Sequence, residues 1–182
     1  IAACIVEPIA GSTGTLVPPK GYLKRIREIC DKHGILLIFD EVITGWGRTG
    51  SAFASQEFGV TPDMITMAKA TTNGVIPMGV VAVKEEMYDA VLDSSKNPEG
   101  TPELFHGYTY SGIPAAVAAG LAVQDIFEKE DIFKRAKDMS PYLQDGLHSL
   151  KDLKEIVSIR GYGMMGGIEM RMKDNPGKAG FQ

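Results

Sequence analysis

Unbroken apolar runs and helical stripes alternate along the first half of the chain. The run from Ile35 to Phe39 follows Gly34 and ends on Asp40-Glu41. Without polar alternation it reads as a strand buried on both faces of a parallel sheet. Residues 1–6 read the same way and end on Glu7-Pro8. Between them Tyr22, Leu23, Ile26, Ile29 and Cys30 recur at helical spacing among charged residues. That spacing predicts an amphipathic helix over 20–33, closed by Gly34. Strand, helix and strand in this order make a βαβ unit with a right-handed crossover.

Further on, the pattern predicts a short helix over 52–58, a strand over 64–67 leading to Lys69, and a turn over 70–79 around Asn73-Gly74 and Pro77. A strand over 79–83, a helix near 85–92 and a polar loop over 94–102 follow. Helices are expected over 114–129 and 131–150, the second broken or started at Pro141. Two strands, 156–160 and 165–170, flank Gly161-Tyr162-Gly163. The shift from α/β alternation to paired strands places a boundary near 130. Residues 1–129 are expected to belong to one domain and 130–182 to begin a second, smaller one.

Composition narrows the class. The 182 residues are 44% hydrophobic and 23% charged, which is ordinary for a folded domain. A net charge of −4 without a basic block gives a nucleic-acid partner no electrostatic support. No apolar run approaches the roughly 20 residues of a membrane span. Two cysteines, Cys4 and Cys30, are too few for a disulfide framework and suit a reducing compartment, with a cytoplasmic location expected. The three histidines are scattered, so no metal site is expected. The chain opens within an apparent strand and is expected to be an internal piece of a longer protein.

Candidate chemistry collects where two strands end. A carboxylate at the end of a parallel strand lies at the sheet edge where α/β folds bind ligands. Asp40 has two readings: a cap or loop charge, or a buried carboxylate needing a cationic partner such as a protonated pyridine nitrogen. Lys69 either snorkels to solvent or is a Schiff-base lysine reacting with a carbonyl cofactor. Thr109, in the glycine-bounded loop ahead of the helix 114–129, either caps that helix, as Ser111 could, or adds a donor to a phosphate site. His106 has no Ser or Cys partner and reads as structural. The glycines at 45, 47 and 50 match neither a dinucleotide nor a P-loop pattern.

The string Asp40-Glu41-Val42-Ile43-Thr44-Gly45-Trp46-Gly47-Arg48-Thr49-Gly50 closely resembles the signature of class III aminotransferases, with Trp46 where Phe is commoner. Glu7-Pro8, Pro62-Asp63 through Lys69, and His106 through Gly112 resemble the family in the same order. Within it, Ser12, the run Gly34 to Asp40, Thr72-Asn73-Gly74 and Ile76-Pro77-Met78-Gly79 look most like the ω-amino acid–pyruvate (β-alanine–pyruvate) group. Relatives acting on ornithine or 4-aminobutyrate usually carry glutamate in place of Ser12 and glutamine in place of Ile43.

The resemblance implies an α/β protein of fold type I: part of a large, mostly parallel-sheet domain plus the start of a C-terminal small domain, working as a homodimer. It implies pyridoxal 5'-phosphate held covalently by Lys69, which also shuttles a proton, and Asp40 paired with the pyridine nitrogen. Val42 would pack on one ring face, and Ile43 falls within the cofactor-binding segment. Thr109 would reach the phosphate of the neighbouring subunit's cofactor. The implied reaction moves an amino group from an ω-amino acid or amine to pyruvate. An aminomutase or decarboxylase of the same fold would keep Lys69 and Asp40, and a non-catalytic fragment is the reading from another class. Ile113 departs from the His or Asn common before Pro114. The phosphate loop and the arginine that binds the substrate carboxylate are expected outside this chain, and Arg160 is expected to be structural. The 182 residues alone are expected to bind cofactor weakly and not to transaminate.

Overall fold

The computed structural model describes residues 1–94, 106–172 and 175–179. The loop expected over 94–102 lies, after Ser94, outside them. Strand β1 (Ala3–Val6), helix α1 (Tyr22–His33) and strand β2 (Leu36–Asp40) form the expected βαβ unit, β1 and β2 pairing in parallel. Leu23 and Cys30 of α1 pack with Leu37 and Phe39 of β2 and with Val60, and Cys4, Val6 and Ile26 close the cluster. Burial pushes the Cys30 thiol up, as expected of a small core residue. Tyr22 and Ile29 of the same stripe are 45% and 43% exposed, so the inner face of α1 is narrower than its apolar pattern. Gly34 ends the helix in the left-handed region at φ 63, where its N–H reaches the carbonyls of Cys30 and Asp31.

The sheet runs β1-β2-β3-β4, with helix α2 (Ala54–Glu57) between β2 and β3 (Met64–Met67). β3 is parallel to β2, whereas β4 (Val80–Val83) returns antiparallel to β3. The run 35–39 is not buried on both faces. Leu37 and Phe39 are fully buried beneath α1, while Leu36, Ile38 and Asp40 on the other face are half-buried. On that same face of the neighbouring strand, Ile5 pairs with Ile38 and is 61% exposed. Among the described residues, α1 covers one face of β2 only.

Helices α3 (Glu85–Asp93), α4 (Pro114–Lys129) and α5 (Ile132–His148) follow. The expected break at Pro141 is absent, and α5 runs through it. Contacts on both sides hold it. Phe133 lies against Gly47, and the Gln144 amide donates to the carbonyls of Gly163 and Met165 at 2.8 and 3.0 Å. β5 (Ile156–Tyr162) and β6 (Met165–Met172) form the expected hairpin, longer than read from sequence, and β7 (Asn175–Ala179) adds an unexpected third antiparallel strand. Gly163 takes the left-handed φ of 60 that the two-residue turn requires, and a Cβ there would sit 2.4 Å from the Arg48 carbonyl oxygen.

At the opposite end of the sheet from Lys69, Asp63 ties three elements together. Its carboxylate accepts from Arg27 of α1 at 2.8 Å, from the Leu37 N–H of β2 at 2.7 Å, and from Lys84 at 2.8 Å. Burial pushes this acid up, but the hydrogen bonds from Lys84, Leu37 and Arg27 outweigh it and hold it at about 2, against 3.8 ordinarily. Asp63 therefore contributes stability above pH 4 that is lost as pH falls through about 2, of order 2 kcal/mol in all. Asp63→Asn should lower the unfolding free energy at neutral pH by about that amount, and the gap from wild type should close between pH 4 and 2. Urea denaturation across that range checks it, and a gap independent of pH would refute it.

Candidate active site

Asp40 is the last residue of β2 and pairs in register with Thr66 of β3. Its Oδ1 accepts from the Val42 N–H and from the Thr66 hydroxyl, both at 3.1 Å. Among the described residues Oδ2 accepts no hydrogen bond and no cation lies within ion-pair distance of it. A half-buried carboxylate with one oxygen held and the other open fits a cationic ring nitrogen. Thr66 was not singled out from sequence. The signal was a polar residue facing Asp40 inside an otherwise apolar strand.

Asp40 makes a local Asx turn, its Oδ1 accepting from the N–H two residues on, whereas the residue that caps helix α2 is Glu41. Its side chain is fully buried. It accepts from the Ala54 and Ser55 N–H groups at 2.6 and 2.9 Å, where α2 begins, and from the Thr44 hydroxyl at 3.1 Å. Helix-end donors thus satisfy a buried carboxylate. Its own N–H donates to the Thr66 carbonyl, so the chain stays tied to β3 one residue past Asp40.

Lys69 opens a 3-10 turn (Lys69–Thr71) at the end of β3, with φ 46. A left-handed conformation at a non-glycine residue costs of order 1–3 kcal/mol and collects at functional sites. β2 and β3 are adjacent and parallel, so acid and amine both emerge from the same sheet edge. A cleft of about 770 Å³ opens there, lined by Val42, Thr66, Ala68, Ile76–Val81 and residues of the 108–117 segment. Such a volume suits a cofactor with a small substrate. Lys69 does not line this cleft. It borders an adjoining cavity of about 540 Å³ that shares Ala68, Ile76, Pro77, Met78 and Gly79 with it.

Ile43 lies away from the cleft. Its side chain packs on Gly11, and its carbonyl accepts from Arg48 at 2.8 Å, while burial pushes the Arg48 guanidinium down. Thr109 is exposed and lines neither cavity. Neither Thr109 nor Ser111 caps α4, whose start at Ile113 has no side-chain cap and has Pro in its first turn. Ser111 instead accepts from the Tyr108 N–H at 2.9 Å, closing the loop on itself. His106 stands edge-on to Tyr108. Arg160 is structural, as expected: it donates to the Gly14 carbonyl at 2.8 Å and to Ser158 and Glu169. Tyr162 donates to Glu57 at 2.7 Å, and burial with that carboxylate pushes its phenol up to about 12. Among the described residues no group of His, Cys, Asp and Glu could hold a metal, and no helix is long and apolar enough to cross a membrane.

A family model described as "Aminotransferase class-III" matches residues 1–179. The chain is similar to an omega-aminotransferase of Caulobacter vibrioides, 56% identical over 170 residues, which are 93% of this chain and 38% of that protein. It is 50% identical over 174 residues to an omega-amino acid–pyruvate aminotransferase of Pseudomonas putida, with 96% and 38% covered. Among solved structures, an amine transaminase from an uncultivated Pseudomonas species in its PLP-bound form superposes with a TM-score of 0.86 at 41% identity, over 95% of this chain and 38% of that one. The chain therefore spans under two-fifths of the length of these relatives.

If Glu41 holds the 42–53 turn, Glu41→Gln should lower the unfolding free energy by about 1.5–3 kcal/mol, the range for a hydrogen bond to a charged group. An unchanged urea midpoint would show that the carboxylate is not what secures α2.

Proposed function

The chain belongs to the class III aminotransferase family, with its α/β architecture of a mostly parallel sheet and flanking helices, and from that premise we propose that it is part of a transaminase that moves an amino group from an ω-amino acid or amine to pyruvate. The relative named for omega-amino acids and pyruvate supports this choice of substrates. The observation that carries the reading is geometric: a carboxylate with one open oxygen and a strained, lysine-bearing turn end two adjacent parallel strands. We assign residues 1–129 to the large domain and 130–182 to the start of the small one.

The residues present fit pyridoxal 5'-phosphate: Lys69 borders the smaller cavity, and Asp40, which lines neither cavity, ends the adjacent parallel strand with an uncompensated oxygen. When bound, the cofactor supplies a conjugated ring that takes up the electrons released at the donor's Cα. Lys69 Nζ would hold it covalently and then carry the proton taken from that carbon. Asp40 Oδ2 would accept from the protonated ring nitrogen and hold its proton in place, while Oδ1 stays tied to Val42 and Thr66 so the carboxylate cannot turn away. Val42, which lines the cleft, would cover a ring face. Ile43 acts at one remove, packing the Val42 segment onto Gly11. Thr109 has an exposed hydroxyl without a partner among the described residues. That suits a contact with the cofactor phosphate of a neighbouring subunit in a homodimer.

Borohydride reduction of the cofactor-loaded full-length protein, followed by peptide mapping, should place the label on Lys69. Label on Lys84 or Lys20 would sink the assignment. Asp40→Asn should keep the cofactor bound but lower turnover by more than about a hundredfold, because an amide cannot stabilise the ring-nitrogen charge. Wild-type turnover in that variant would leave Asp40 as a strand-end charge and no more.

A further inference from the structure

The left-handed backbone at Lys69 persists only if its surroundings over-determine it. A short chain of hydrogen bonds does so. The Thr71 N–H and the Thr71 hydroxyl both donate to the Ala68 carbonyl, at 3.0 and 2.9 Å, and that carbonyl belongs to the peptide whose nitrogen is Lys69's own. Thr71 is 3% exposed, and its Oγ1 in turn accepts from the indole N–H of Trp46 at 3.0 Å. The indole has little freedom. Trp46 itself has φ 60, and its ring lies against Phe53 at 5.2 Å and stacks on Phe127 at 5.7 Å. Phe127 packs on Phe133, and a Cβ at Gly47 would come within 3.0 Å of Phe133.

We propose that Thr71 and Trp46 are positioning residues, a hydrogen-bond chain from the indole through the buried hydroxyl to the Ala68 carbonyl that sets the direction in which Lys69 presents its amine. The proposal rests on the reading of Lys69 as the cofactor-bearing lysine. A phenylalanine at 46 would fill the same space between Phe53 and Phe127 but leave the Thr71 oxygen without its donor. Phe127 in the last turn of α4 stacks on the indole and is itself packed by Phe133 in the first turn of α5, so the Lys69 turn is linked to the junction of these two helices.

The test is the rate at which visible absorbance develops when pyridoxal phosphate is added to the cofactor-free full-length protein, which reports how readily Lys69 presents its amine. Thr71→Val should slow this by about fivefold to a hundredfold, the worth of two lost hydrogen bonds, to Ala68 and from Trp46. Trp46→Phe removes one of these two bonds and should slow it by less, and adding it to Thr71→Val should slow it no further, because Thr71→Val has already broken that bond. Thr71→Ser keeps the hydroxyl and should keep the wild-type rate. Val60→Ala, in the core beneath α1, lowers the melting temperature without touching the chain and should leave the rate unchanged. A wild-type rate in Thr71→Val, multiplicative slowing in the double variant, or equal slowing by Val60→Ala would overturn the proposal. If Lys69→Ala still develops the absorbance, the Lys69 reading falls, and the positioning role falls with it.

Discussion

A carboxylate with no solvent exposure must be satisfied where it lies, and the end of β2 is arranged around that requirement at Glu41. The first N–H groups of α2 and the Thr44 hydroxyl converge on it. Each donor comes from a different point in the 42–55 segment, so the segment is drawn into one compact path. That path leaves Asp40 at the sheet edge, with Val42 turned back to donate to it. Neighbouring acids thus divide the work: Glu41 is consumed by the fold, and Asp40 keeps an oxygen open.

The same edge concentrates backbone strain. Trp46, Lys69 and Asn73 all have positive φ, within the turns that follow β2 and β3. Each such residue is costly alone. They are held by side chains that cross between the turns, Trp46 to Thr71, and by the Thr72 hydroxyl donating to the Ile76 carbonyl. The β5–β6 hairpin also bears on this region. Gly163 sits against the Arg48 backbone, and Tyr162 reaches Glu57 of α2. The second sheet therefore braces the loop that shapes the site.

The elements whose signal is local were legible from sequence. β1, α1, β3 and α4 follow apolar runs, helical spacing and breakers such as Gly34 and Pro114, all properties of neighbours along the chain. Asp40, Lys69, Val42, Ile43 and Thr109 were named because a motif carries them. What motif and spacing could not decide depends on contacts between distant residues. β4 turns antiparallel because the strand returns beside β3, a choice its own Val80–Val83 run does not encode. Pro141 stays inside α5 because Phe133 and Gln144 are held on either side of it. The open face of β2 depends on what packs above it. Which of two adjacent carboxylates is buried was likewise set by α2 arriving over Glu41, thirteen residues on. Sequence determined which residues bring an acid, an amine and a hydroxyl to this protein. Tertiary structure alone decided which of their atoms are spent on the fold and which remain free, because hydrogen-bond partners and burial are properties of the packed chain and not of the order of residues within it.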